Sequence, residues 1–521
     1  MRGFRWRLGA LAVVALLAAG AASAERDSPV IVTPNGALTG QMVNESVVVY
    51  RGIRYAKPPV GALRWQAAQP VAAWSGTVAA DKFGPACIQR TKLSKEELAA
   101  VGAVPPETSE DCLTLNIWAP VSHDHPLPVM VWIHGGAFVA GAGSLPFYDG
   151  TNFARDGVIL VTLNYRLGLL GYFAHPALSK AARPDEVIGN YGLSDQREAL
   201  RWVQRNIAAF GGDPANVTLF GESAGGMSVL TLLSTPSAKG LFAKAIVESG
   251  LGWHTMHTKS EAEAQGAQAA VAMGLTDAAA TPDVLRALST DALIAATPER
   301  DVGPMVDGQL VPQSITAAVS KGDYSHVPLI IGTNSNEGTL LRPAAAVTKL
   351  LADLPPSFIG FARSYYGAPA LDDGALARRL FRDAIFTAPA RWIARHVSQS
   401  QPAYVYRFDY MPDYFLGKVD GVSHGLEIPF VFDSWKYVPH ASLVLSGTDK
   451  AETAQVHSCW ISFAKTGTPA CAGAPAWPSF SAQSDETIDF TRPTTEVRKA
   501  FEKPMLDIME AKQKSRDPNV N

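Results

Sequence analysis

The stretch from Asn216 to Leu230, NVTLFGESAGGMSVL, constrains the fold of this chain more than any other. Val217, Leu219 and Phe220 make an apolar run of strand length, and the small and apolar residues from Ala224 onward read as a helix. Between them lies Gly221-Glu222-Ser223-Ala224-Gly225. A serine lifted out of a sheet on so tight a turn needs glycines on both sides, which leave room for the helix to pack back onto the strand. The N-terminus of that helix offers free amide groups to a developing negative charge. Ser223 is therefore the candidate nucleophile.

With 521 residues, 47% of them hydrophobic, the chain can bury a large core, and length alone suggests about three domains. No Pro/Gly/Ser linker, charge run, low-complexity tract or repeat divides it, so one catalytic domain with insertions is expected over residues 25–521. The first 24 residues differ. Arg2, Arg5 and Arg7 precede an apolar run from Leu8 to Ala22, and Ala22-Ser23-Ala24 has the small-x-small form of a signal-peptidase site. A membrane anchor is the competing reading, but the run is short for a span of ~20 residues. Cleavage near Ala24-Glu25 and an exported chain, periplasmic or secreted, are expected. Formal net charge is −3, and −6 once the three leader arginines are gone. No basic stripe with interleaved aromatics supports nucleic-acid binding. Cys87, Cys112, Cys459 and Cys471 fall into two sequence-local pairs, which in an exported chain favours two local disulfides over thiols. They lack C-x-x-C spacing and a histidine pair, so no metal and no cofactor is called.

Taken in order, Val30–Thr39 and Ser46–Ile53 alternate apolar and polar residues around Asn35-Gly36 and predict an antiparallel edge meander. Leu113–Trp118, Val129–Ile133 and Val158–Asn164 are apolar runs of strand length. The second runs directly into His134-Gly135-Gly136-Ala137-Phe138, where a glycine pair at a strand end lets backbone amides turn toward a ligand. Tyr191–Phe210 predicts an amphipathic helix, followed by the Ser223 strand and then strands at Ala245–Val247, Val327–Gly332 and Tyr404–Phe408, the last read as the final central strand. Strands alternating with helices predict a mostly parallel sheet whose ligands sit at the strand carboxyl ends. Both glycine motifs fall there.

A serine hydroxyl needs a base to take its proton, and the base needs a carboxylate to fix its tautomer. Glu337, in Asn334-Ser335-Asn336-Glu337-Gly338, and His424, in Gly421-Val422-Ser423-His424-Gly425, each follow a later strand in the order serine, acid, histidine. The stretches YRGIRYAKPPVGALRW, SEDCLTLNIWAP, VMVWIHGGAF, NYRLGLLGYF, GNYGLSDQREALRWVQRNIAAFGGDPANVTLFGESAGG, GTNSNEG, GVSHGLEIPFVF and FAKTGTP then resemble the type-B carboxylesterase and cholinesterase family. The likeness runs from about residue 30 to residue 480. It implies an α/β-hydrolase fold: a central, mostly parallel sheet with an N-terminal antiparallel meander, flanked by helices and helical insertions. It further implies Ser223 as nucleophile, Glu337 as acid, His424 as base, and oxyanion donors from the amides of Gly136, Ala137 and Ala224. Glu222 and Ser249 match positions beside the histidine. A Cys87–Cys112 disulfide and the ion pairs Arg64–Glu110 and Arg166–Asp195 are implied as well. This chain has Gly135-Gly136-Ala137 where cholinesterases have three glycines, a small change because the donor is a backbone amide. The Cys459–Cys471 bridge rests on spacing and compartment alone.

The reading is an exported carboxylesterase acting through an acyl-enzyme on an uncharged small-molecule ester, as a monomer or homodimer. A lipase or amidase on the same three residues is the first alternative, and a non-catalytic adhesion module the second. Trp253 has two readings, core packing or the acyl side of the pocket.

Overall fold

The apolar runs of the sequence assemble into an eleven-stranded sheet in the computed structural model, which describes residues 29–90, 107–298, 301–341, 344–367, 371–438 and 441–520. Its strands are β1 (Gln41–Met42), β2 (Val47–Arg54), β3 (Thr114–Pro120), β4 (Leu127–Ile133), β5 (Ile159–Leu163) and β6 (Gly212–Glu222). They continue with β7 (Lys244–Glu248), β8 (Leu329–Asn334), β9 (Ala403–Phe408), β10 (Glu486–Phe490) and β11 (Glu496–Lys499). Their spatial order is β11-β10-β9-β8-β7-β6-β4-β5-β3-β2-β1. Every pairing from β5 through β4 and β6 to β10 is parallel, and the pairings at both ends are antiparallel.

The central strands carry no polar-out alternation because both faces are covered, and every residue of β4, β5, β7 and β8 is buried. Successive side chains still point to opposite faces. Val129, Val131, Ile133, Leu219, Val247 and Ile331 join one core with α1 (Tyr191–Asn206), α2 (Ala224–Leu233) and the later helix Ala388–Val397. Met130, Trp132, Phe220, Ile246 and Ile330 join the other core, with the helix Gly447–Thr466 over them.

Two expectations need correction. The hairpin around Asn35-Gly36 does not lead into the main sheet: Val30–Thr33 and Gly36–Thr39 pair with each other and then with Thr77–Ala79 in a separate three-stranded sheet. Of the two predicted stretches, Ser46–Ile53 alone joins the large sheet, as β2 paired with β3. Nor is β9 the last strand, since β10 continues the parallel order and β11 closes it. Their sequences, ETIDF and EVRK, are short and charged, and no apolar run announces them.

Both local disulfides are formed, Cys87–Cys112 and Cys459–Cys471, and no free cysteine remains among the described residues. Peptide mapping without reduction is expected to recover both linked pairs, and each closure contributes roughly 2–4 kcal/mol in the chain-entropy account. Alkylatable thiols in the native protein would contradict this. The leader reading at 1–24 lies outside the described residues. Among the described residues no helix is long and apolar enough to cross a membrane.

Candidate active site

β6 ends at Glu222 and α2 begins at Ala224, leaving Ser223 alone at the turn with φ 58° and ψ −120°. Residues with side chains seldom adopt positive φ, and such strain persists only where the surroundings enforce it. Close packing enforces it here. A Cβ on Gly225 would lie 2.0 Å from the Ile133 carbonyl oxygen, and one on Gly221 would lie 2.6 Å from the same atom. α2 can meet the end of β4 only because those side chains are missing. The Ser223 amide donates to the Glu248 carbonyl at 2.9 Å, tying the turn to β7.

The loop after β4 passes close to this turn: a Cβ on Gly135 would come within 3.2 Å of the Ser223 Cβ. Gly136, Ala137 and Phe138 all have positive φ, at 109°, 54° and 60°. The amides of Val139 and Ala140 donate to the Gly136 carbonyl at 3.0 and 3.1 Å and close the loop. Those of Gly136, Ala137 and Ala224 donate to no backbone acceptor among the described residues. His134, at the root of the loop, is buried against Tyr165, with ring centroids 4.4 Å apart, and the Tyr165 hydroxyl donates to its carbonyl at 2.8 Å. Burial pushes its imidazole down to about 4, so it packs as a neutral ring.

Glu337 opens a short turn, Glu337–Leu340, after β8 and is fully buried. Both its oxygens are used. Oε1 accepts from the Asn334 amide at 2.7 Å and the Ser249 hydroxyl at 2.5 Å, and Oε2 lies 2.6 Å from His424 Nδ1. The loops carrying the two residues are joined directly: Asn336 bridges to Ser423, and its amide donates to the Val422 carbonyl at 2.9 Å. On its other side His424 Nε2 lies 3.0 Å from Glu222 Oε1, in ion-pair contact without hydrogen-bond geometry. Ser223, Glu222, Ser249, Glu337 and His424 are thus gathered from positions far apart in sequence. No hydrogen bond joins the Ser223 hydroxyl to His424, whose Nε2 faces Glu222 instead.

Burial opposes a charge on His424, but the adjacent carboxylates Glu222 and Glu337 outweigh it and push the imidazole up to about 10. Burial also raises Glu222 above the ordinary carboxylate range, against the pull of His424. Two further carboxyls lie in this buried neighbourhood, and sequence reasoning had not assigned a role to either. Glu427 is fully buried and pushed up by its burial and by Glu222 and Glu337, while one of its oxygens accepts from the Asn334 side chain. Glu248 is pushed up by burial and by Glu427, and accepts from Trp460 Nε1 at 2.8 Å. The only signals available were their positions, three residues after His424 and one before Ser249. Close-set buried carboxyls cannot all ionise, and the upward shifts keep protons among them.

Residues 27–352 and 373–509 match the sequence profile of the Carboxylesterase family. The chain belongs to the carboxylesterase family. Over 482 residues it is 38% identical to the para-nitrobenzyl esterase of Bacillus subtilis (strain 168), covering 88% of this chain and 94% of that protein. It is 34% identical to the liver carboxylesterase of Sus scrofa over 512 residues, 87% and 88% of the two chains. A solved PNB esterase structure superposes with a TM-score of 0.80 at 34% identity, covering 92% of this chain and 99% of that one. This carboxylesterase therefore has the α/β-hydrolase fold and is a carboxylic-ester hydrolase. Both ion pairs implied by the family likeness are present. The Arg64 guanidinium grips Glu110, with Nε 2.7 Å from Oε2, and Arg166 grips Asp195 through contacts of 2.7 and 2.8 Å. Trp253 is 8% exposed and meets Trp392 edge-on at 6.3 Å, which assigns it to the core.

Proposed function

We propose that residues 25–521 form one exported catalytic unit that hydrolyses uncharged carboxylic esters through an acyl-enzyme. The observation that carries this reading is the buried Glu337–His424 contact of 2.6 Å beside the strained Ser223 turn. Glu337 holds the proton of His424 on Nδ1, leaving Nε2 to accept the Ser223 proton as Oγ attacks the ester carbonyl carbon. The amides of Gly136, Ala137 and Ala224 take the charge that develops on the carbonyl oxygen. His424 returns the proton to the departing alcohol. Water then attacks the acyl group with the same residues in the same roles, and the acid leaves. The two disulfides favour an oxidising compartment and so support export. Phosphonylation of Ser223 by an organophosphate, located by peptide mapping, tests the nucleophile. A lipase on the same residues would show a jump in rate on emulsified substrate, and an amidase would turn over anilides as readily as esters.

Glu222, 3.0 Å from Nε2, favours the charged imidazole. Removing that carboxylate makes the His424 proton easier to lose, and the reaction requires a neutral base. Glu222→Gln is therefore expected to move the rising limb of the kcat/KM pH profile to lower pH, by roughly one unit or more. A limb that stays in place or moves upward would assign Glu222 another role.

Quaternary ammonium groups are recognised on aromatic faces. The loop closed by Cys87 and Cys112 contains no Trp, Tyr or Phe, although residues 91–106 of it lie outside the described residues. Trp253 is used in packing. An uncharged butyrate ester is expected to exceed butyrylcholine in kcat/KM, and a preference of about tenfold for the cation would reveal a cation site elsewhere.

A further inference from the structure

A cavity of about 300 Å³ is bordered by Ser335 and Asn336, just before Glu337, and by Asp420 and Gly421, just before His424. Four arginines line it: Arg378, Arg379 and Arg382 from the helix Asp373–Arg382, and Arg407 from β9. Two of them are already neutralised. Arg382 pairs with Asp383 at 2.6 Å and with Glu502, while Arg407 holds Asp409 at 2.8 Å and Asp489 at 3.0 Å through Nη1 alone. The Nε–H of Arg407 is buried and has no acceptor among the described residues.

Arg378 and Arg379 are different. Among the described residues neither has a carboxylate within ion-pair distance, and Arg379 donates only to the Tyr366 carbonyl, at 2.9 Å. Of the three acids lining the cavity, Asp409 and Glu502 are taken by Arg407 and Arg382, and only Asp420 is left without a described cation partner. Two half-buried guanidinium groups thus face one unpaired, exposed carboxylate. Basic residues at a helix C-terminus gain a little from its dipole, which explains their tolerance there but not why two guanidinium groups without a described carboxylate partner line one cavity.

We propose that this cavity binds a small oxyanion, a carboxylate or a phosphate, through Arg378 and Arg379. Arginine suits that chemistry because its planar fork meets two oxygens at once. The volume is at the small end of ligand pockets and exceeds what a single bare anion needs, which favours a ligand with more than one acidic group or with a short organic body. The site is separate from the residues assigned to ester cleavage, but the loops that carry Glu337 and His424 form part of its wall.

Isothermal titration of the full chain with inorganic phosphate and, separately, with citrate distinguishes the two sources of the head group. Saturable binding of at least one probe, with one site per chain, is expected. The double variant Arg378→Gln/Arg379→Gln should weaken that binding by about tenfold or more. Glutamine keeps the Cβ and Cγ of Arg378 that pack on Gly338, so turnover of an uncharged ester without added anion should stay within about twofold. Asp420→Asn removes the unpaired carboxylate and should tighten binding, an effect of opposite sign that loss of folding cannot mimic. No saturable binding of either probe up to about 10 mM, unchanged affinity in the double variant, or weaker binding in Asp420→Asn would overturn the proposal.

Discussion

Ser223→Ala is expected to lower ester turnover by about 10⁴-fold or more and to abolish labelling by an organophosphate, because nucleophile, base and acid act as a unit. The fold should be untouched. Alanine keeps the Cβ and the φ of 58° that the turn already enforces, and the hydrogen bond that the residue's N–H donates to the Glu248 carbonyl, 2.9 Å long, is a backbone contact. An unchanged melting temperature together with lost turnover is the predicted pair of results. Wild-type turnover in this variant would remove Ser223 from the reaction.

Glu337→Gln is expected to lower kcat by about 10³–10⁴-fold with little change in KM. The reason lies in the partners of the two oxygens. The Asn334 amide and the Ser249 hydroxyl both donate to Oε1, at 2.7 and 2.5 Å, so in the variant that position must be taken by the amide oxygen. The NH₂ group then faces His424 Nδ1 and turns that nitrogen into an acceptor. The ring proton is forced onto Nε2, where it blocks removal of the Ser223 proton. Substrate binding uses none of these contacts, hence the expected split between kcat and KM. An unchanged kcat, measured alongside an unchanged melting temperature, would transfer the role to another carboxylate.

The buried carboxyls Glu248 and Glu427 have no signature in the sequence. Glu248 meets Trp460 across 212 residues, and Glu427 meets Asn334 across 93. Neither pairing leaves a local pattern, because a buried carboxyl is recognisable only from what surrounds it. The arginines of the further cavity are similar: an Arg-Arg-x-x-Arg run at a helix end reads as a solvated face until Arg407 arrives from β9. The order of the sheet is a third case. The charged strand β10 was missed because it draws its burial from the β9 edge and not from its own composition.

The elbow at Ser223 was legible because its parts are consecutive in the chain: a buried strand, two glycines that admit close approach, and a helix start. Mainly apolar runs announced β4, β5, β7 and β8, since a strand covered on both faces is apolar through most of its length. Glu337 and His424 were found by their order after later strands and by family likeness, and the cysteine pairs by spacing and compartment. The tertiary structure alone decided that Nε2 of His424 faces Glu222, that Ser249 and Asn334 pin one oxygen of Glu337, and that buried carboxyls crowd the same site. Those features depend on distances between chain segments and on the loss of water around charges, which no local run of residues encodes.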